Sequence, residues 1–163
     1  MWRTMSPPLF ALTLAAALGA GAVAGVFVAF STFVMAGLGR RPPAEGMAAM
    51  QSINVTAVRR PFMLFFLGTA LLCVAVVVAA IATWGDRQAA LLLAGALLYL
   101  VGNIAVTGAR NVPMNNALAA LEPGSPAGGA EWSAYLARWT AWNHVRAATG
   151  LAAAAAFILA LAD

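Results

Sequence analysis

Residues Arg59 to Asp86 read RRPFMLFFLGTALLCVAVVVAAIATWGD, an apolar run closed at one end by two arginines and a proline and at the other by Trp84-Gly85-Asp86. A hydrocarbon core of ~30 Å needs roughly 20 apolar residues at 1.5 Å per residue. Proline suits the first turn of a helix, and arginine and tryptophan suit the two borders of a bilayer. This stretch therefore predicts a membrane-spanning helix over about 61–84, followed by a turn of only a few residues.

Three further stretches meet the same length criterion, over about 9–38, 89–109 and 143–162. The short turn at 85–88 makes spans two and three an antiparallel hairpin. The first stretch is longer than a bilayer requires, so it tilts or projects, and Gly21-x-x-x-Gly25 predicts a close helix approach there. Its uncharged part runs from Thr4 to Gly39. That far exceeds the ~7–15-residue core of a signal peptide, so an uncleaved first span is expected. The expected fold is all-α: a single-domain four-helix transmembrane bundle in the inner or plasma membrane.

Composition agrees and narrows the chemistry. Of 163 residues, 63% are hydrophobic and 9% charged, far from soluble averages. The nine cations, all arginine, outnumber five acids and give a net charge of +4. They sit at the ends of apolar runs rather than in a stripe, which argues for a bilayer as partner and against nucleic acid. Cys73 is the only cysteine, which excludes an intramolecular disulfide, a thiolate metal cage and a CxxC pair. With no acid inside any span and one histidine, bis-histidine haem and a carboxylate-bridged di-iron centre are excluded. No metal and no cofactor are expected, His144 remaining only as a single axial ligand.

Because spans alternate direction, the long connections 39–60 and 110–143 share one side of the bundle. Arg40, Arg41, Arg59, Arg60, Arg110, Arg138 and Arg146 lie there, against Arg3 and Arg87 on the other. The excess of positive charge predicts that the long connections are cytoplasmic and both termini non-cytoplasmic.

Those connections hold the candidate site. Pro43 to Arg60 predicts a short interfacial helix with Met47, Met50, Ile53 and Ala57 at helical spacing and Asn54 beside them. Asn111-Val-Pro-Met-Asn115-Asn116 is a turn signal, either solvated or organising a polar pocket. From Glu131 no helix breaker appears until past Gly150, predicting one helix that rises out of the hydrocarbon into span four. At 100° per residue, Trp132, Tyr135, Leu136, Trp139, Asn143, Arg146 and Gly150 fall within about 60° of one line, with Trp142 at the margin. His144 falls about 120° from the stripe. The tryptophans form either an interfacial belt or a groove for a flat apolar ligand. Asn103, buried in the third span, needs a hydrogen-bond partner.

Gly25-Val-Phe-Val-Ala-Phe-Ser-Thr-Phe-Val-Met35, Met50-Gln-Ser-Ile-Asn54, Asn111-Val-Pro-Met-Asn-Asn116 and Trp132-x-x-Tyr135-x-x-x-Trp139-x-x-Trp142-Asn143-x-x-Arg146 together resemble the domain-of-unknown-function membrane family that includes the anthrone oxygenases. The resemblance covers nearly the whole chain. It implies a four-span membrane protein and, for some members, oxidation of an anthrone to an anthraquinone by dioxygen. Such a reaction needs a flat apolar slot, a proton acceptor, and donors for the enolate or peroxide oxygen. Under this reading Trp132, Trp139 and Trp142 supply the slot and Arg146, Asn143, Asn111 and Asn115 the donors. His144 or Tyr135 is the base, and Asn54 adds to the binding surface. A cofactor-independent oxygenase of a lipophilic polycyclic or quinol-like substrate stands beside two alternatives. One is a non-catalytic module binding a quinone, lipid or partner protein. The other is a structural subunit; a homo-oligomer fits any of the three.

Overall fold

The computed structural model describes residues 5–86 and 88–162, so Arg3 and Arg87, expected on the far side of the membrane, lie outside the described residues. Among the described residues five helices make up the fold: α1 (Pro7–Gly39), α2 (Pro43–Ala57), α3 (Arg60–Ala82), α4 (Ala89–Ala119) and α5 (Pro126–Ala162). All but α2 are long and apolar enough to cross a bilayer. The protein is an all-α membrane bundle. Proline in the first turn of α1, α2 and α3 sets the helical φ where no backbone N–H is needed. Between α3 and α4 the chain reverses through Gly85, whose φ of +105° lies in the left-handed region that a side chain disfavours.

Each long helix packs on its neighbours in the ring α1–α3–α4–α5, an up-down-up-down bundle. Small residues let its helices close on one another. Close approach occurs where Gly19 meets Thr69, Gly102 meets Thr149 and Gly150 meets Ala24. The Gly21-x-x-x-Gly25 pair does not take this part: a Cβ at either position would meet nothing within 4 Å. Both face away from the bundle, because the α1 side carrying Ala16, Ala20, Val23 and Phe27 is the one that turns inward. A Cβ on Gly102 would lie 2.3 Å from the Cβ of Thr149, a clash that no rotation about χ1 relieves. Gly102→Ala is therefore expected to cost about 1–3 kcal/mol through forced separation of α4 and α5. Thermal unfolding in detergent should record this as a lower midpoint.

α4 departs most from the sequence expectation. Its helix does not stop at the expected span end near Ala109, and Asn111–Asn116 is not a turn: the helix continues to Ala119 through Pro113. A proline inside a helix lacks a donor, and its ring collides with the carbonyl four residues back. Here the preceding turns widen into π-helical segments, Leu100–Ala105 and Thr107–Asn111, just before the proline. Such widened turns relax the i−4 contact. Asn111 and Asn115 are thereby carried on a helix rather than on a solvated loop.

The interior has two storeys. The membrane storey joins Val23, Phe27, Phe66, Val76, Leu92, Tyr99 and Phe157. Above it, Met35, Met47, Met50, Leu118, Trp132, Tyr135 and Trp139 form a cap from α2 and the ends of α1, α4 and α5. Gln51 Nε2 ties α2 to the end of α4 by donating to the carbonyls of Leu118 (2.9 Å) and Leu121 (3.0 Å). Both carbonyls lie where the helical ladder runs out, and that of Leu118 also accepts from Leu121 N at 3.2 Å. At 37 residues α5 is ~55 Å long, well beyond the ~30 Å hydrocarbon thickness. Its outer part carries an ion pair, Arg138 to Glu131 at 2.9 Å, in keeping with the expected rise out of the bilayer.

Candidate functional site

A cavity of about 610 Å³ lies where the two storeys meet, and all five helices line it. Its size falls in the ~300–1,000 Å³ range of small-molecule sites. Five aromatic side chains stand on its wall: Phe27 and Phe30 from α1, Phe62 and Phe66 from α3, and Trp139 from α5. Phe62 and Phe66 stack at 5.7 Å with 14° between their planes, and Phe27 stands edge-on to both at 6.3 and 6.2 Å. These three rings thus form one packed aromatic cluster on the wall.

At its floor lies Arg146, 4% exposed. Its Nη2 donates to Asn143 Oδ1 at 2.7 Å and its Nη1 to Thr107 Oγ1 at 3.2 Å, while its Nε has no partner. The guanidinium lies 4.2 Å from the centre of the Phe27 ring and 5.0 Å from that of Trp139. No carboxylate among the described residues lines the cavity; Glu45 and Glu131 pair with Arg41 and Arg138 at the surface. A buried, uncompensated ion costs several kcal/mol, and each cation–π contact returns only ~0.5–2 kcal/mol. The cavity therefore has a standing preference for an anionic or electron-rich oxygen.

Two supports hold this floor in position. Asn143 Nδ2 donates to the Phe27 carbonyl at 2.7 Å and to Ser31 Oγ at 2.8 Å, which turns its Oδ1 toward Arg146. The helix widens immediately afterwards, over Phe30–Val34, and such a turn opens carbonyls to side-chain donors. Asn115 Oδ1 accepts from both Tyr135 Oη and Trp139 Nε1, each at 2.8 Å. That leaves the Asn115 NH₂ on the cavity wall. Asn54 Nδ2 reaches Tyr135 Oη at 3.5 Å and completes the polar edge.

Of the residues expected from sequence, Arg146, Trp139, Asn115 and Asn54 line the cavity. Asn143 and Tyr135 lie directly behind them. Asn111 supports the wall through a 3.4 Å bond to the Trp139 carbonyl, and its own Oδ1 is buried without a partner. Trp132 stacks on Tyr135 at 5.8 Å against Gly46 but does not reach the cavity. Trp142 lies outside, with the Arg110 guanidinium 4.7 Å from its ring. The slot is therefore not made of three tryptophans. Periodicity put Trp132, Trp139 and Trp142 near one line, yet a helix face wider than one side chain meets different neighbours along its length. His144 is exposed on the opposite side and faces no part of the cavity.

Sequence reasoning missed the phenylalanines, Thr107 and Arg59, all of which line the cavity. The usable signal was Phe27-x-x-Phe30 and Phe62-x-x-x-Phe66, spacings that put two rings on one helix face. Among the described residues, no three His, Cys, Asp or Glu side chains group as metal ligands.

No curated protein and no solved structure matches the chain. The family model described as anthrone oxygenase matches residues 62–156, which take in α3, α4 and most of α5. The matched stretch contains Phe62, Phe66, Thr107, Asn115, Trp139 and Arg146, which line the cavity, and Asn143, which braces Arg146. The chain belongs to the anthrone oxygenase family.

Proposed function

We propose that the protein is a cofactor-independent oxygenase that converts a lipophilic anthrone-like substrate to its quinone with dioxygen. The observation that carries this reading is the buried Arg146 guanidinium, unpaired by any carboxylate among the described residues and set among flat aromatic faces. An anthrone is a flat three-ring ketone whose CH₂ ionises to an aromatic enolate. The enolate oxygen would sit at Arg146 and the Asn115 amide, donors fixed before the charge develops.

The steps balance without an added reductant. The CH₂ loses a proton, and the enolate carbon gives up one electron to dioxygen. Recombination of the pair forms the C–O bond of a peroxide, which takes up a proton. Loss of the second hydrogen from that carbon, with cleavage of the O–O bond, gives the carbonyl and one water. Neither an imidazole nor a carboxylate lines the cavity among the described residues, so the first proton passes to water at the mouth. The protein's share is to lower the cost of the anion.

His144 is then dispensable. A general base contributes ~10²–10⁴-fold, whereas His144→Ala is expected to stay within about twofold of wild type in turnover. The pH profile should follow ionisation of the bound substrate and show no inflection that disappears with His144.

The reading is tested by oxygen uptake. Purified protein in nanodiscs with a series of anthrones should consume dioxygen faster than the spontaneous reaction. A rate equal to the spontaneous one across the series overturns it. The lack of an imidazole or carboxylate on the wall among the described residues favours a second reading, a non-catalytic quinone-binding module; tight binding without excess uptake would decide for that.

A further inference from the structure

Arg59 and Arg60 are neighbours at the start of α3, and both are exposed. Only Arg59 lines the cavity. It pairs with no carboxylate among the described residues. The cavity is therefore lined by an exposed cation, Arg59, which marks its mouth, by the buried cation Arg146, and by Phe27, Phe62 and Phe66. A neutral ring system with one ionisable oxygen satisfies Arg146 and leaves the mouth without a counterpart. A ligand with a second anionic group on the far ring satisfies both.

We infer that the ligand is a flat aromatic bearing an acidic substituent, a ring carboxylate, and that Arg59 is the residue selecting it. The inference takes the flat ring system from the oxygenase reading and adds the charge at its other end. Carboxylate and guanidinium match as a two-pronged pair, and a charge-assisted hydrogen bond is about twice as strong as a neutral one. Membrane-border arginines also reach toward lipid phosphates, a role open to Arg59 and Arg60 alike. Only cavity lining separates the two, which makes Arg60 the internal control.

The test uses the full chain in phosphatidylcholine nanodiscs, with quenching of tryptophan fluorescence as readout. The probes are anthraquinone-2-carboxylate and anthraquinone-2-carboxamide, which do not react with dioxygen, so binding is read without turnover. Wild type is expected to bind the carboxylate about tenfold more tightly than the carboxamide. Arg59→Gln should remove that preference by weakening the carboxylate alone, and Arg60→Gln should keep it. Equal binding of both probes by wild type overturns the inference. So does an equal loss for both probes in Arg59→Gln, or loss of the preference in Arg60→Gln, which would assign it to surface charge. Oxygen uptake with an uncharged anthrone is measured on the same samples. Its failure beside an intact carboxylate preference removes the oxygenase reading and leaves this one standing.

Discussion

Arg146→Met is expected to lower anthrone-dependent oxygen uptake about 10²–10³-fold while shifting stability by no more than about 1–2 kcal/mol. The activity loss follows from the position of the guanidinium at the cavity floor, where the substrate oxygen would gain charge. Stability changes little because opposing effects meet. Methionine removes a buried cation that no carboxylate among the described residues compensates, and exchange of buried ions for apolar groups is often neutral or stabilising. Against this, Asn143 Oδ1 loses its 2.7 Å donor, at about 1–3 kcal/mol. Turnover and unfolding midpoint on the same preparation check both halves. A large fall in midpoint would make Arg146 a structural residue.

The second large effect is expected at Asn115, and in the opposite currency. Its Oδ1 is the shared acceptor of Tyr135 and Trp139, so Asn115→Leu strands two donors in the cap. Each stranded group costs ~1–3 kcal/mol, for a total of about 2–6 kcal/mol. At about 2–4 °C per kcal/mol for a chain of this size, the midpoint should fall by roughly 4–24 °C. Asn115→Asp keeps the acceptor and should spare most of that stability. It nevertheless turns a carboxylate toward the Arg146 cavity, where it would compete with an anionic substrate, so turnover should still fall. Thermal unfolding and oxygen uptake of the pair separate the bracing role of Asn115 from its place on the wall.

The bundle was legible in the sequence because membrane thickness fixes helix length, and apolar runs such as Pro61 to Trp84 carry marked borders. The inward stripe of α5 was equally legible: the segment before span four is polar enough for Trp132, Tyr135, Trp139, Asn143 and Arg146 to stand out at helical spacing. Periodicity also set His144 off that stripe, and it is exposed. Within α1 and α3 the same method fails. When every face is apolar, Phe27, Phe62 and Phe66 have no polar contrast to show which way they turn. The extension of α4 was hidden for another reason. Asparagine and proline mark turns in water, and nothing in their spacing tells that π-helical turns ahead of Pro113 let the helix run on. The floor of the cavity was thus readable from one helix, while its walls depended on how four others met it.

The cavity at the junction of the two storeys is not the only hollow. Another of about 590 Å³ lies between α1 and α3, lined by residues such as Leu18, Gly19, Leu64 and Phe65 and by no charged side chain. An experimental structure of the protein with a bound anthraquinone therefore tests the central claim most directly. The account predicts the ring system between Phe62, Phe66 and Trp139, with one carbonyl oxygen within hydrogen-bonding distance of Arg146. Ligand in the groove between α1 and α3, with the Arg146 cavity empty, would contradict it.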